Sequence, residues 1–137
     1  MFVASRRRPI TEALQIGEDW QAYVVGASEQ LLREFTLDFS ELTPALLVCR
    51  LVALTQQSGG ASGVYRVRIG GTPGAADGTE VATLNVTNAA YPSTPDSVIG
   101  GSFANPVAKR LVKVTGNASI GGATARIRGV HLVFESA

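Results

Sequence analysis

Residues 34–40 read Glu34-Phe35-Thr36-Leu37-Asp38-Phe39-Ser40. The apolar Phe35, Leu37 and Phe39 alternate with polar neighbours, and successive side chains of an extended chain point to opposite faces. The stretch therefore spells a strand with one dry face and one wet face. The same reading applies to residues 64–69, where Tyr65, Val67 and Ile69 face one way and Arg66 and Arg68 the other. The turn-rich Gly70-Gly71-Thr72-Pro73-Gly74-Ala75-Ala76-Asp77-Gly78 ends that strand as a hairpin loop.

Further strands are expected at Val81 to Val86 and Lys109 to Thr115, separated by a loop holding Pro92, Pro95 and Pro106. Ala45 to Thr55 is apolar on both parities apart from Arg50, which suggests a strand covered on both faces or lying in an oligomer contact, with a helix as the alternative. In the last segment Ala125 and Ile127 share one parity while Val130, Leu132 and Phe134 share the other. A β-bulge at Gly129 would keep both sets facing the core. Ile10 to Ile16 and Tyr23 to Val25 read as short strands, and Ser28 to Glu34 as a capped helical turn. Gly-Gly pairs at 59–60, 70–71, 100–101 and 121–122 punctuate the strands. The expected fold is all-β, a two-sheet antiparallel sandwich of jelly-roll or immunoglobulin type, with the jelly roll preferred because Cys49 has no partner for an immunoglobulin disulfide. Residues 1–9 form an extended basic arm and 10–137 a single domain.

The 137 residues carry 12 Lys+Arg and 11 Asp+Glu, and charged residues make up 17% of the chain against about a quarter in ordinary soluble domains. Such an under-charged surface implies apolar area covered by another subunit, hence a homo-oligomer. The near-zero balance argues against nucleic acid as a partner of the whole domain. No stretch is long and apolar enough for a membrane span. No apolar segment follows the basic N-terminal cluster as in a secretory leader, so assembly in the cytoplasm is expected.

Candidate sites are few. His131, the one histidine, lacks companions at ligand spacing and falls on the outward face of the last strand. Gly100-Gly101-Ser102-Phe103-Ala104 lacks the helix, acid and downstream histidine of a nucleophile elbow. Asp77 and Glu80 bracket Gly78 without the oxygen density of a calcium loop. Neither a metal nor a cofactor is expected. Asn85-Val86-Thr87 and Asn117-Ala118-Ser119 match a glycosylation pattern, without a secretory leader to make it meaningful. Cys49 is a core thiol. Arg66 and Arg68 with Arg126 and Arg128 would make a basic stripe if their strands were neighbours, the alternative being an exposed face paired with carboxylates. Trp20, Tyr23, Tyr65 and Tyr91 are the candidates for stacking on a sugar. The strongest partner-binding candidates are Arg6, Arg7 and Arg8. Their mutual repulsion favours an extended segment reaching about 25 Å, ordered by acidic groups of a neighbour.

The run Phe35 to Ser40, the Arg68-Ile69-Gly70-Gly71-Thr72-Pro73-Gly74 turn and the closing Val130-His131-Leu132-Val133-Phe134 strand together resemble small virion proteins of tailed bacteriophages. The likeness spans Phe35 to Phe134 and transfers no functional residue. It implies a non-enzymatic capsid decoration (cement) subunit, a homotrimeric jelly roll that bridges neighbouring capsid subunits of the virion. A tail-fibre or baseplate adaptor is the alternative within the same class, and a carbohydrate-binding β-sandwich module is the alternative outside it.

Overall fold

A computed structural model describes residues 13–57, 62–86, 88, 90–118 and 124–137. Its strands are β1 (Ala13–Val25), β2 (Gln30–Asp38), β3 (Leu46–Gln57), β4 (Gly63–Ile69), β5 (Thr79–Val86), β6 (Asp96–Ile99), β7 (Phe103–Ala104), β8 (Lys109–Ala118) and β9 (Thr124–Ser136). The first sheet has the order β1-β9-β3-β6, with the two-residue β7 also on β3, and the second has the order β2-β8-β4-β5. Antiparallel pairs nest one inside the next: β1 with β9, β2 with β8, β3 with β6, β4 with β5. A long four-rung hairpin wrapped into two facing layers produces this nesting, and β3 on β9 and β4 on β8 close the sheets. That is the strand order of a jelly roll with one short extra strand, as the sequence led one to expect.

The alternation at 34–40 holds through β2, where Phe35 and Leu37 pack against the core. A 3-10 turn over Phe39–Glu41 follows, because the Asp38 carboxylate accepts from the Ser40 backbone N–H at 3.0 Å and turns the chain. Phe39 is thereby driven fully inside, where its ring meets Phe134 edge-on at 5.1 Å. Around them lie Leu47, Leu51, Tyr65, Val67, Val112, Val114, Ile127 and Leu132, all buried, from both sheets. The glycine reading at 129 is also borne out. Val52 pairs with His131 but Leu54 pairs with Arg128, so β9 carries one extra residue there, and Gly129 sits at φ +60. Ala125 and Ile127 before the bulge and Val130, Leu132 and Phe134 after it are all buried.

Four expectations are corrected. Ser28 to Glu34 forms no helical turn, since β2 begins at Gln30 and its apolar residues gain more from the facing sheet than from a single unpaired turn. The two short N-terminal strands are one, β1, held by pairing with β9 on both sides of a register shift between Glu18 and Gln21, and residues 10–12 lie outside the described set. The proline-bearing loop contains β6 and β7, too short to show a period. Finally, of the readings of β3, the helix and the strand covered on both faces within the subunit do not hold: Leu47, Cys49, Leu51, Ala53, Thr55 and Gln57 are buried, while Val48, Arg50, Val52 and Leu54 are half-buried on the outer side. The expected arm, residues 1–9, lies outside the described residues.

Candidate functional site

The outer faces of the two sheets differ in kind. On the second sheet, Arg66 and Arg68 of β4 and Lys113 and Thr115 of β8 project away from the core. Glu29, in the turn before β2, accepts from Arg68 Nε at 2.7 Å and from its terminal nitrogen at 2.9 Å, and also from the Thr115 hydroxyl. Arg66 lies 3.9 Å from the same carboxylate and 3.5 Å from Glu80, and donates to the Asn117 side chain at 2.7 Å. The bidentate Arg68 bond, more than any other contact, holds the Glu29 carboxyl below its usual range, against the opposing effect of burial.

Lys113 is fully buried although it faces outward. The hairpin loop between β4 and β5 folds over it. The ammonium donates to the carbonyls of Thr72 at 2.6 Å and Ala75 at 2.7 Å and to Asp77 at 2.7 Å, with Glu34 at 3.8 Å. Lys113, helped by the Thr72 N–H, lowers the Asp77 carboxyl to about 2. Asp77 thus serves a lysine and the turn of its own loop. No pattern of residues marks this cage: a lysine at an outward strand position reads as solvated, and only the fold brings a loop 36 residues away in sequence onto it.

The outer face of the first sheet is built differently. Its rows run Val48–Glu135, Arg50–Val133, Val52–His131, Leu54–Arg128 and Gln56–Arg126 across β3 and β9, with Ile99 of β6 beside Arg50. Ile99 is 52% exposed, and Arg126, Arg128 and His131 are exposed. Arg50 donates to Glu135 at 3.0 Å, and the Arg128 guanidinium lies 4.1 Å from the centre of the Tyr91 ring.

The remaining candidates fall as follows. His131 is on the outward face, as expected. Cys49 is buried in the core, and burial pushes its thiol up to about 12. The proposed Arg66–Arg68–Arg126–Arg128 stripe does not form, because β4 and β9 belong to different sheets; Arg66 and Arg68 take the carboxylate-paired alternative. Among the sugar-stacking candidates Tyr65 is corrected to a core residue, fully buried, with its hydroxyl pushed up by burial. Tyr91 lies beneath Arg128. Trp20 and Tyr23 lie on β1, and Arg6, Arg7 and Arg8 lie outside the described residues.

Gly100 is a backbone crossing, not an elbow. Its N–H donates to the Cys49 carbonyl at 2.9 Å, and a Cβ there would stand 1.8 Å from the Val81 carbonyl oxygen. Two open clefts flank it, of about 440 and 380 Å³, sharing Val81 and Phe103. Arg110 is the one charged side chain lining the first and Glu80 the one lining the second, so neither gathers an acid/base pair. Among the described residues no three His, Cys, Asp or Glu side chains cluster as metal ligands, and no helix is long and apolar enough to cross a membrane.

The strands and their faces define a jelly-roll sandwich with a network of cation–carboxylate pairs on the second sheet and a mixed apolar and arginine-bearing face on the first. No protein-family profile and no curated protein matches the chain. Among solved structures it is similar to a chain of the infectious bursal disease virus Gx strain, at 16% identity over 90% of this chain and 35% of that one, with a TM-score of 0.44. It is also similar to infectious bursal disease virus VP2 of the subviral particle, at 15% identity over 91% of this chain and 37% of that one, again with a TM-score of 0.44. The chain thus spans little more than a third of the length of those chains. The strand order defines the fold without them, and at this level neither likeness assigns a function.

Proposed function

We propose that this chain is a structural subunit of a virus particle, a decoration subunit that rides on a capsid shell and bridges neighbouring subunits, acting as a homotrimer assembled in the host cytoplasm. The observation that carries the reading is the asymmetry of the two faces. A jelly roll whose second sheet pairs Arg66, Arg68 and Lys113 with carboxylates, and whose first sheet carries the exposed Ile99 beside the half-buried Val48, Val52, Leu54 and Val133, with Leu46 exposed at the start of β3, is suited to contact. The resemblance of residues 35–134 to phage virion proteins supports the same reading, and the open clefts without paired titratable groups favour a non-enzymatic role. The basic segment Arg6-Arg7-Arg8 is proposed as a tether to acidic groups of the neighbouring subunit.

Quantitative mass spectrometry of the purified particle tests the role. Hundreds of copies per particle are expected of a decoration subunit; about a dozen would make it a tail-fibre or baseplate adaptor, and absence from the particle would overturn the proposal. Removing residues 1–9 is expected to leave the melting temperature nearly unchanged while weakening attachment. If the truncated chain attaches as tightly at the same ionic strength, the tether is wrong.

A further inference from the structure

We infer that the end of the sandwich where β3 begins and β7 passes to β8 docks a second copy of this chain, an exposed valine entering the neighbour's apolar cleft. The valine is Val107, 62% exposed at φ +50, a backbone setting that a β-branched residue takes only under strain. Asn105 enforces it. Its backbone N–H donates to the Ala45 carbonyl at 2.9 Å, its side-chain nitrogen donates to the carbonyls of Leu42 at 3.0 Å and Pro44 at 2.9 Å, and its Oδ1 accepts from the Val107 N–H at 2.9 Å. Leu46, 53% exposed, pairs with Ala104, so Ala45, Leu46, Ala104 and Val107 make one exposed apolar tip. The strain brings nothing to the fold of the subunit, since glycine takes the same backbone freely; a surface that receives the valine offsets it.

Such a surface adjoins the tip. Pro106, the residue before Val107, lines the open cleft of about 440 Å³ together with Ile69, Val81 and Phe103. Arg110 stands at the cleft's mouth: opposite Leu37 in the β2–β8 pairing it shares that inward face, yet at this end of β8 it is exposed. Its guanidinium donates to the Lys109 carbonyl at 2.9 Å, and among the described residues no carboxylate pairs with it. Glu41, also exposed, closes the 3-10 turn whose Phe39 N–H donates to the Ala108 carbonyl at 3.0 Å, which sets it beside Val107. Among the described residues no cation pairs with Glu41. Each copy thus carries an apolar knob with an acid and an apolar cleft with a cation. Charge and shape select a second copy as the occupant: its knob fills the cleft and its Glu41 meets Arg110. A nucleic acid would set phosphates against Glu41, and the chain's own segment Arg6 to Arg8 would set arginines against Arg110. The inference rests on the homo-oligomer part of the proposed function and names its contact.

The test is sedimentation velocity of the full isolated chain across a concentration series, with melting curves to show that each variant is folded. The expected result is reversible self-association. Val107→Asn, which suits the left-handed backbone but removes the apolar knob, is expected to weaken it about tenfold while leaving the melting temperature unchanged or higher. Arg110→Glu and Glu41→Arg, both at exposed positions, are each expected to weaken it about tenfold, and the double variant, which restores opposite charges across the contact, to recover most of the loss. A chain that stays monomeric at about 0.5 mM would leave the tip to a different protein and overturn the inference. Association that ignores Val107→Asn, or a double variant as weak as the sum of its parts, would also overturn it, while the homo-oligomer and the particle role, read from copy number, would stand.

Discussion

Replacing Lys113 by Met tests whether the caged ammonium stabilises the fold. The methionine occupies similar volume but leaves the carbonyls of Thr72 and Ala75 without the donor that now lies 2.6 and 2.7 Å away. Hydrogen bonds to a charged donor contribute about 1.5–3 kcal/mol each in a fixed, dry setting. Here the loop's outer surface is exposed, so it can open and rehydrate, and methionine also removes the cost of burying a charge. The low end survives for the pair, a net loss of about 2 kcal/mol, or a fall in Tm of roughly 8 °C for a domain of this size. Urea unfolding of the two proteins measures it, and hydrogen exchange localises it: the Thr72 amide, which donates to Asp77 at 2.8 Å, should lose protection selectively. A loss below about 0.5 kcal/mol, within the range of ordinary surface substitutions, or any gain, would refute the argument that the cage is stabilising.

Glu29 and Asp77 have depressed folded values, below 4.5 and down to about 2 from 3.8 respectively, so their contribution is complete above about pH 4.5 and is lost as pH falls through those values. Acid titration of stability should show that limb, and Lys113→Met should flatten its lower part; an unchanged limb would contradict the Lys113–Asp77 coupling. Cys49, buried and pushed up to about 12, should resist iodoacetamide at pH 8 in the native protein and react once denatured. Val107 stands at φ +50 and is 62% exposed, held by its N–H bond to Asn105 Oδ1 at 2.9 Å. Val107→Gly relieves about 1–2 kcal/mol of left-handed strain against a smaller entropic cost, so chemical denaturation should show a gain of about 0.5 kcal/mol or more. Gly129→Ala, at φ +60 in open space, should cost about 1 kcal/mol by the same measurement, set by backbone conformation alone.

The sequence by itself determined which residues turn inward. A period of two is a local property of an extended backbone, so Phe35 and Leu37, or Tyr65 and Val67, declared their faces without reference to any partner, and the phase change around Gly129 declared the bulge. It also placed Cys49 in the core and His131 on the outside. Neither pattern says which strand lies beside which, because pairing joins segments far apart in the chain. Only the tertiary structure separated β4 from β9 and dissolved the supposed arginine stripe, and only it laid the hairpin loop over Lys113 and Glu29 over Arg68. The helical turn expected at 28–34 failed for the same reason, since β8 and the facing sheet supply what an isolated turn lacks. The pairing of Arg66 and Arg68 with Glu29 and Glu80 could not be read in the sequence: an arginine on an outward position reads alike whether or not a carboxylate from another segment reaches it, and that is decided by which segments the fold brings together.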